Sequence, residues 1–146
     1  MLNSAELPDI TAYPFWINES IRNADTDQFQ HVNNAAIASY CEAGRMALFS
    51  EPNMREATAG LNVVVVKLTI LFERELFYPG MVQVGTKVTA IGNTSFQVMQ
   101  GLYGLQGRFA TSEATSVMMD RTEHKPIRVP DAVRALFTQH ARIRQS

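Results

Sequence analysis

Apolar and polar positions alternate from Phe15 to Ile21, with Phe15, Ile17, Glu19 and Ile21 on one side and Trp16, Asn18 and Ser20 on the other. That period of two predicts a strand with one apolar face. From about Ala35 to Glu51 the period lengthens, and Ile37, Tyr40, Cys41, Gly44, Ala47 and Leu48 fall at helical spacing. Asn33 or Asn34 supplies the N-cap. Gly44 costs about 1 kcal/mol against Ala in a helix interior, so close approach of the helix to its surroundings is expected. Asn62 to Glu73 then carries Val63-Val64-Val65-Val66, Leu68, Ile70, Leu71 and Phe72 with few charges, the pattern of a central strand buried on both faces. Met81 to Ile91, Thr94 to Leu105 and Arg108 to Asp120 read as three further strands. Tight turns at Gly92-Asn93 and Gln106-Gly107 join them into an antiparallel meander. Pro126 to Pro130 leads into a short helix from Asp131, with Arg142 and Arg144 near its negative end. Strand, long helix, four strands and short helix together predict an α+β layer arrangement.

Residues 1–146 read as a single domain behind a loose polar lead over residues 1–12. One helix cannot cover five strands, and Phe96, Met99, Phe109, Met118 and Met119 suggest apolar surface to spare. Self-association, as a homodimer or homotetramer, is therefore expected. The formal net charge of −1, without a basic cluster, argues against a nucleic-acid partner. No apolar run approaches the ~20 residues of a membrane span. The lone Cys41 fits a reducing compartment, so a cytoplasmic domain is expected.

Candidate chemistry concentrates in Asp25-Thr26-Asp27-Gln28-Phe29-Gln30-His31-Val32-Asn33-Asn34. A carboxylate just before a helix N-terminus sits beside unpaired backbone N–H groups and the positive end of the helix dipole. That places a base or nucleophile next to a site for a developing oxyanion, the combination acyl transfer needs. Other features are plainer. Cys41 sits on the inward stripe with nothing local to activate it. Glu42 and Arg45 are placed to pair along the helix. Gly101-x-x-Gly104-x-x-Gly107 has no following helix to make a phosphate loop. His124 and His140 lack partners at metal spacing, so neither a metal nor another cofactor is expected.

Asp25-x-Asp27-x-x-x-His31-Val32-Asn33-Asn34, followed by Tyr40, Glu42 and Arg45, resembles the hotdog-fold acyl-CoA thioesterases of the 4-hydroxybenzoyl-CoA thioesterase-like family. Phe72-Glu73-Arg74 before Pro79-Gly80, Gly92-Asn93-Thr94-Ser95 and the Asp120 to Pro130 exit extend the resemblance over about residues 15–137. It implies a five-stranded antiparallel sheet wrapped around one long central helix, with dimers pairing sheets edge to edge and active sites at the interface. It implies an acyl-CoA substrate and a catalytic position for Asp27, as nucleophile or as general base on water. His31 is expected to work beside it in acid–base chemistry or orientation, and the Asn34 backbone N–H as oxyanion donor. Asn33, Tyr40 and Arg74 are the expected substrate contacts, with Arg74 among the cations, Arg108, Arg121, Lys125 and Arg128 being others, placed to meet coenzyme A phosphates. Asp25 is expected to hold the loop. Two alternatives remain open: an acyl-thioester-binding module without turnover, and a thioesterase acting on acyl carrier protein. Gln30 stands where a glycine is common in the family, and Met81 where many members carry an acidic residue.

Overall fold

A computed structural model describes residues 10–140 and 144–145. Phe15–Ser20 forms β1, Asn34–Ser50 the long helix α1, and Pro52–Ala57 a short helix α2. The strands Leu61–Phe72 (β2), Met81–Ile91 (β3), Ser95–Gly104 (β4) and Gly107–Asp120 (β5) follow, then α3 at Asp131–His140 and a two-residue β6 at Arg144–Gln145. The polar lead up to residue 9 and the position of Arg142 lie outside the described residues. The sheet order is β1-β3-β4-β5-β2, all antiparallel, with β6 added parallel to the far end of β3. No helix among the described residues is long and apolar enough to cross a membrane.

The three-strand meander is as expected: its tight turns leave each strand beside the next. Gly107 carries a positive φ of 101°, which the β4–β5 turn needs and other residues resist. β1 and β2 occupy opposite edges, so the chain between them crosses one face of the sheet, and α1 is that crossing. The five-stranded sheet with a long helix against it and a short C-terminal helix is the hotdog arrangement.

Three expectations are corrected. The valine-rich β2 is an edge strand, paired only with β5, and Val66 at its bulge is 60% exposed. A strand buried on both faces and an apolar edge strand share the same sequence pattern, because the pattern does not record how many neighbours the strand has. Phe96, Phe109 and Met118 are not surplus surface but fully buried. Phe96 and Met118 lie in a second core cluster with Val133 and Phe137 of α3 and Met54 of α2. The short helix α2 escaped the sequence reading because Pro52 reads as a stop, whereas here it ends α1 and opens the next helix at a position that tolerates proline.

The third correction concerns Arg45. It does not pair with the exposed Glu42; it is buried, and its Nη1 donates to Gln100 Oε1 at 3.1 Å. Gln100 also accepts from Ser112 Oγ (3.3 Å) and donates Nε2 to the Cys41 carbonyl (2.9 Å) and to Thr86 Oγ1 (3.1 Å). This polar set ties α1 to the middle of the sheet. It forms because Gly44 lets the helix backbone close onto sheet side chains: a Cβ there would sit 2.5 Å from Gln100 Nε2 and 2.8 Å from Val84 Cγ1. The expected close approach at Gly44 is thus realised. Helix propensity alone would make Gly44→Ala stabilising by about 1 kcal/mol. Steric conflict with a side chain held by four hydrogen bonds should instead lower stability by about 2 kcal/mol in urea titration. Unchanged or higher stability would contradict this packing account.

Candidate active site

Residues 25–33 fold back on themselves as a small hairpin. The Asn33 amide donates to the Asp25 carbonyl (2.9 Å), Thr26 and Val32 form an antiparallel bridge, and the Asp27 amide donates to the His31 carbonyl (2.9 Å). The tip closes with Gln30 N–H on the Asp27 carbonyl at 3.0 Å, and Gln30 adopts a φ of 66°. That left-handed backbone explains why glycine is comfortable at this position and why glutamine is held there at some cost. The hairpin sets Asp27 across from His31 and Asp25 across from Asn33.

Each arm then has a distinct task. Asn33 is the N-cap of α1, its Oδ1 accepting from the Ala36 amide at 2.7 Å, so its side chain is committed to the helix. Among the described residues, the amides of Asn34 and Ala35, in the first turn, meet no acceptor. Asp27 Oδ1 accepts from the amides of Phe29 (2.8 Å) and His31 (3.2 Å), which fixes the carboxylate in the turn. Its other oxygen, Oδ2, takes no hydrogen bond among the described residues. The turn therefore engages only one of the two Asp27 carboxylate oxygens.

Opposite the hairpin runs the segment between β2 and β3. Val32 N–H donates to the Leu76 carbonyl (2.8 Å), and His31 bridges to Phe77. The His31 ring meets the Phe77 ring edge-on with centroids 4.9 Å apart, and its Nε2 lies 3.6 Å from Glu75 Oε2. Between the two segments opens a cleft of about 460 Å³, within the range of small-molecule sites. Asp27, His31, Asn33, Asn34 and Arg74 all line it. Glu75 and Leu76 line it too, and sequence reasoning passed over them although they directly follow Arg74. Residues 74–76 also wall a second cleft of about 200 Å³, whose other side is the β4–β5 turn. Arg74 donates Nη1 to the Gln106 carbonyl there at 2.7 Å.

Tyr40 does not reach the cleft. It is buried, and its hydroxyl donates to Asp25 Oδ2 at 2.7 Å. The reason is helical phase: the inward stripe that makes Tyr40 a core residue points it under the hairpin, away from the opening. Among the other expected phosphate contacts, Arg108 forms a bidentate pair with Glu73 at 2.7 and 2.9 Å. Arg128 pairs with Asp131 at 2.7 Å.

Asp25 holds the loop, as its position suggested. Its carboxylate accepts from Tyr40 and, through both oxygens, from the Arg22 amide (2.9 Å) and guanidinium (3.0 Å). Burial pushes this carboxyl up, but the hydrogen bonds from Tyr40 and Arg22 and the guanidinium charge more than reverse it. Asp25 therefore titrates below the usual carboxylate range.

The chain belongs to the thioesterase-like superfamily, whose family model matches residues 21–137. A chloroplastic acyl-acyl carrier protein thioesterase of Arabidopsis thaliana, ATL2, is 31% identical over 126 residues, covering 83% of this chain. The chain spans 66% of that relative's length. A predicted thioesterase from Bacillus stearothermophilus superposes with a TM-score of 0.78 at 23% identity, covering 88% of this chain and 97% of the other. A Thermus thermophilus thioesterase complexed with coenzyme A and zinc superposes with a TM-score of 0.79 at 22% identity, covering 89% and 96%. These two likenesses establish the hotdog fold.

The depressed Asp25 titration carries a sign. A carboxyl whose folded pKa lies below its unfolded value of ~3.9 stabilises the fold fully above that value. The contribution is lost as pH falls through the folded pKa. Urea midpoints of the wild type should hold above pH ~5 and drop below pH ~4 more steeply than those of Asp25→Asn. Parallel pH curves for the two proteins would show that Asp25 contributes nothing to acid stability.

Proposed function

We propose that this chain is a thioester hydrolase that converts acyl-CoA to a free acid and coenzyme A. The observation that carries the reading is one cleft lined by both Asp27 and Asn34, the first residue of α1. A thioester carbonyl seated there presents its oxygen to the Asn34 and Ala35 N–H groups. These are fixed donors at the positive end of the helix dipole. Asp27 Oδ2 attacks the carbonyl carbon directly, or takes a proton from a water that attacks it. Either route gives a tetrahedral oxyanion, whose collapse breaks the carbon–sulfur bond and releases coenzyme A as a thiolate. The water route leaves the free acid at once, whereas direct attack leaves an acyl–Asp27 anhydride that a second water hydrolyses to the free acid and the Asp27 carboxylate. His31, across the hairpin from Asp27, stands beside that departure to orient the substrate or supply a proton. Arg74 at the cleft wall is the cation nearest to hand for a coenzyme phosphate, and Asn33 contributes through the cap that shapes the helix start.

A second reading keeps the chemistry and changes the carrier to acyl carrier protein. Similarity to an acyl-acyl carrier protein thioesterase favours it. Parallel assays on acyl-CoA and acyl-carrier-protein panels separate the two.

The catalytic assignment makes a direct prediction. Asp27→Asn is nearly isosteric and keeps the turn acceptor, so it should retain the fold and lose at least ~10²-fold in kcat/KM, followed with a thiol-trapping dye. A variant keeping more than about a third of wild-type kcat/KM would remove Asp27 from the mechanism.

The functional unit is a homodimer, or a tetramer built from it, formed along β2. Val64, Val65, Val66, Leu68 and Phe72 expose apolar area on this unpaired edge, and Phe72 also lines the cleft. Pairing two such edges covers them and brings the partner subunit to the cleft rim, with on the order of 2,000 Å² buried. Light scattering should give at least twice the 16.3 kDa chain mass. Leu68→Lys should shift the protein toward monomer and lower its activity with it. A fully active wild-type monomer at micromolar concentration would contradict the dimer.

A further inference from the structure

We infer that Tyr40 and Asp25 act as one unit that positions Asp27 against the start of α1, Tyr40 being a positioning residue and not a substrate contact. The inference rests on the hydrolase reading above and assigns the buried pair a part in it. Asp25 is held at every polar atom it has. Its amide donates to the Arg22 carbonyl (2.9 Å) and its carbonyl accepts from Asn33 (2.9 Å). Its carboxylate takes Arg22 N–H, Arg22 Nη2 and the Tyr40 hydroxyl. Arg22 belongs to the same turn and Asn33 to the opposite arm of the same hairpin. Among the described residues, Tyr40 alone reaches Asp25 from the body of α1, two turns beyond the cap.

Two residues after Asp25 stands Asp27; one residue after its partner Asn33 the unpaired amides begin. The Tyr40–Asp25 bond therefore sets the distance between attacking oxygen and oxyanion donors. A hydroxyl-to-carboxylate bond of 2.7 Å between groups about 95% buried is strong and directional. Without the hydroxyl, the carboxylate is left short of a donor in a dry site, and the hairpin relaxes to satisfy it. Displacements of about 1 Å at a reacting group cost up to ~10²-fold in rate.

The pair also gives the acid side of the rate profile a cause. The charged and titratable groups around Asp25 are Arg22 from its own turn and Tyr40 from α1, with Glu19 of β1 acting on both of those. Burial raises the carboxyl, and Tyr40 is the first of the groups that bring it back down. Removing the hydroxyl lets Asp25 protonate at higher pH and slackens the hairpin there.

The test is a cycle of Tyr40→Phe, Asp25→Asn and the double variant, with fold checked by circular dichroism at each pH and Asp27→Asn run alongside. Tyr40→Phe should lower kcat by about 10-fold or more with KM within about two-fold, since the groups that line the cleft are unchanged. Its acid limb should move to higher pH. Asp25→Asn should show a comparable kcat loss, and the double variant no more than either alone. A 3-fluorotyrosine at position 40 keeps the hydroxyl and should restore kcat, which excludes lost ring packing as the cause. Wild-type kcat in Tyr40→Phe, multiplicative losses in the double variant, or failure of the fluorotyrosine to rescue would each overturn the pair while an inactive Asp27→Asn leaves the hydrolase reading standing. Wild-type turnover in Asp27→Asn, or none in the wild type, overturns that reading and the pair with it.

Discussion

β1 and β2 lie at opposite edges of one sheet, and the chain between them has to cross the sheet's face. Everything functional depends on how closely α1 makes that crossing. Gly44 brings its backbone down until Gln100, rooted in β4, hydrogen-bonds the Cys41 carbonyl. With its middle pinned there, α1 has a fixed N-terminus, and the hairpin that precedes it is trapped between the helix and the segment leading into β3. The polar set around Gln100 and Arg45 carries a cost, because among the described residues Arg45 is a buried cation without a carboxylate partner and its Nε has no acceptor. Burial pulls its pKa down, with Cys41 and Glu42 opposing. What this layer supplies is register: it separates the apolar cluster under the first half of α1 from the one formed with α2 and α3.

The division of labour within the hairpin follows from the same constraint. A carboxylate in a tight turn is normally consumed by the turn, and Asp27 Oδ1 is. The turn takes only that one oxygen, which is what lets the proposed mechanism assign the other to substrate or water. Asn33 likewise satisfies only the Ala36 amide, leaving the two before it open. Partial satisfaction on both sides of one cleft distinguishes this hairpin from the chain's other capped turns. Asp120, for example, accepts from the Thr122 and Glu123 amides in a turn with no helix start beside it.

Local chemistry was readable from the sequence, and contacts between distant segments were not. The helix, its asparagine cap and the meander arise within windows of a few residues, so spacing reveals them, whereas the roles expected of Asp27, His31 and Asn34 come with the family resemblance. Tyr40 reads as a core or substrate residue until Asp25, fifteen positions earlier, is seen beneath it. Arg45 reads as a partner for Glu42 because Gln100, fifty-five positions away, leaves no trace near it. The edge position of β2 was hidden for a different reason. Its apolar run reads as full burial, whereas Val64, Val65, Val66, Leu68 and Phe72 stay exposed on this edge. Glu75 and Leu76 escaped notice because irregular segments have no periodicity, although the Phe72-Glu73-Arg74 signature marked their neighbourhood.

The central claim is that one thioester carbonyl is shared between the α1 N-terminus and Asp27. A crystal structure with an acyl-CoA analogue whose thioester sulfur is replaced by methylene tests it most directly. The account predicts the carbonyl oxygen about 3 Å from the Asn34 or Ala35 amide nitrogen. It also predicts Asp27 Oδ2 within about 3.5 Å of the carbonyl carbon, or one water removed from it. A carbonyl bound instead against the β4–β5 turn, out of reach of both, would contradict it.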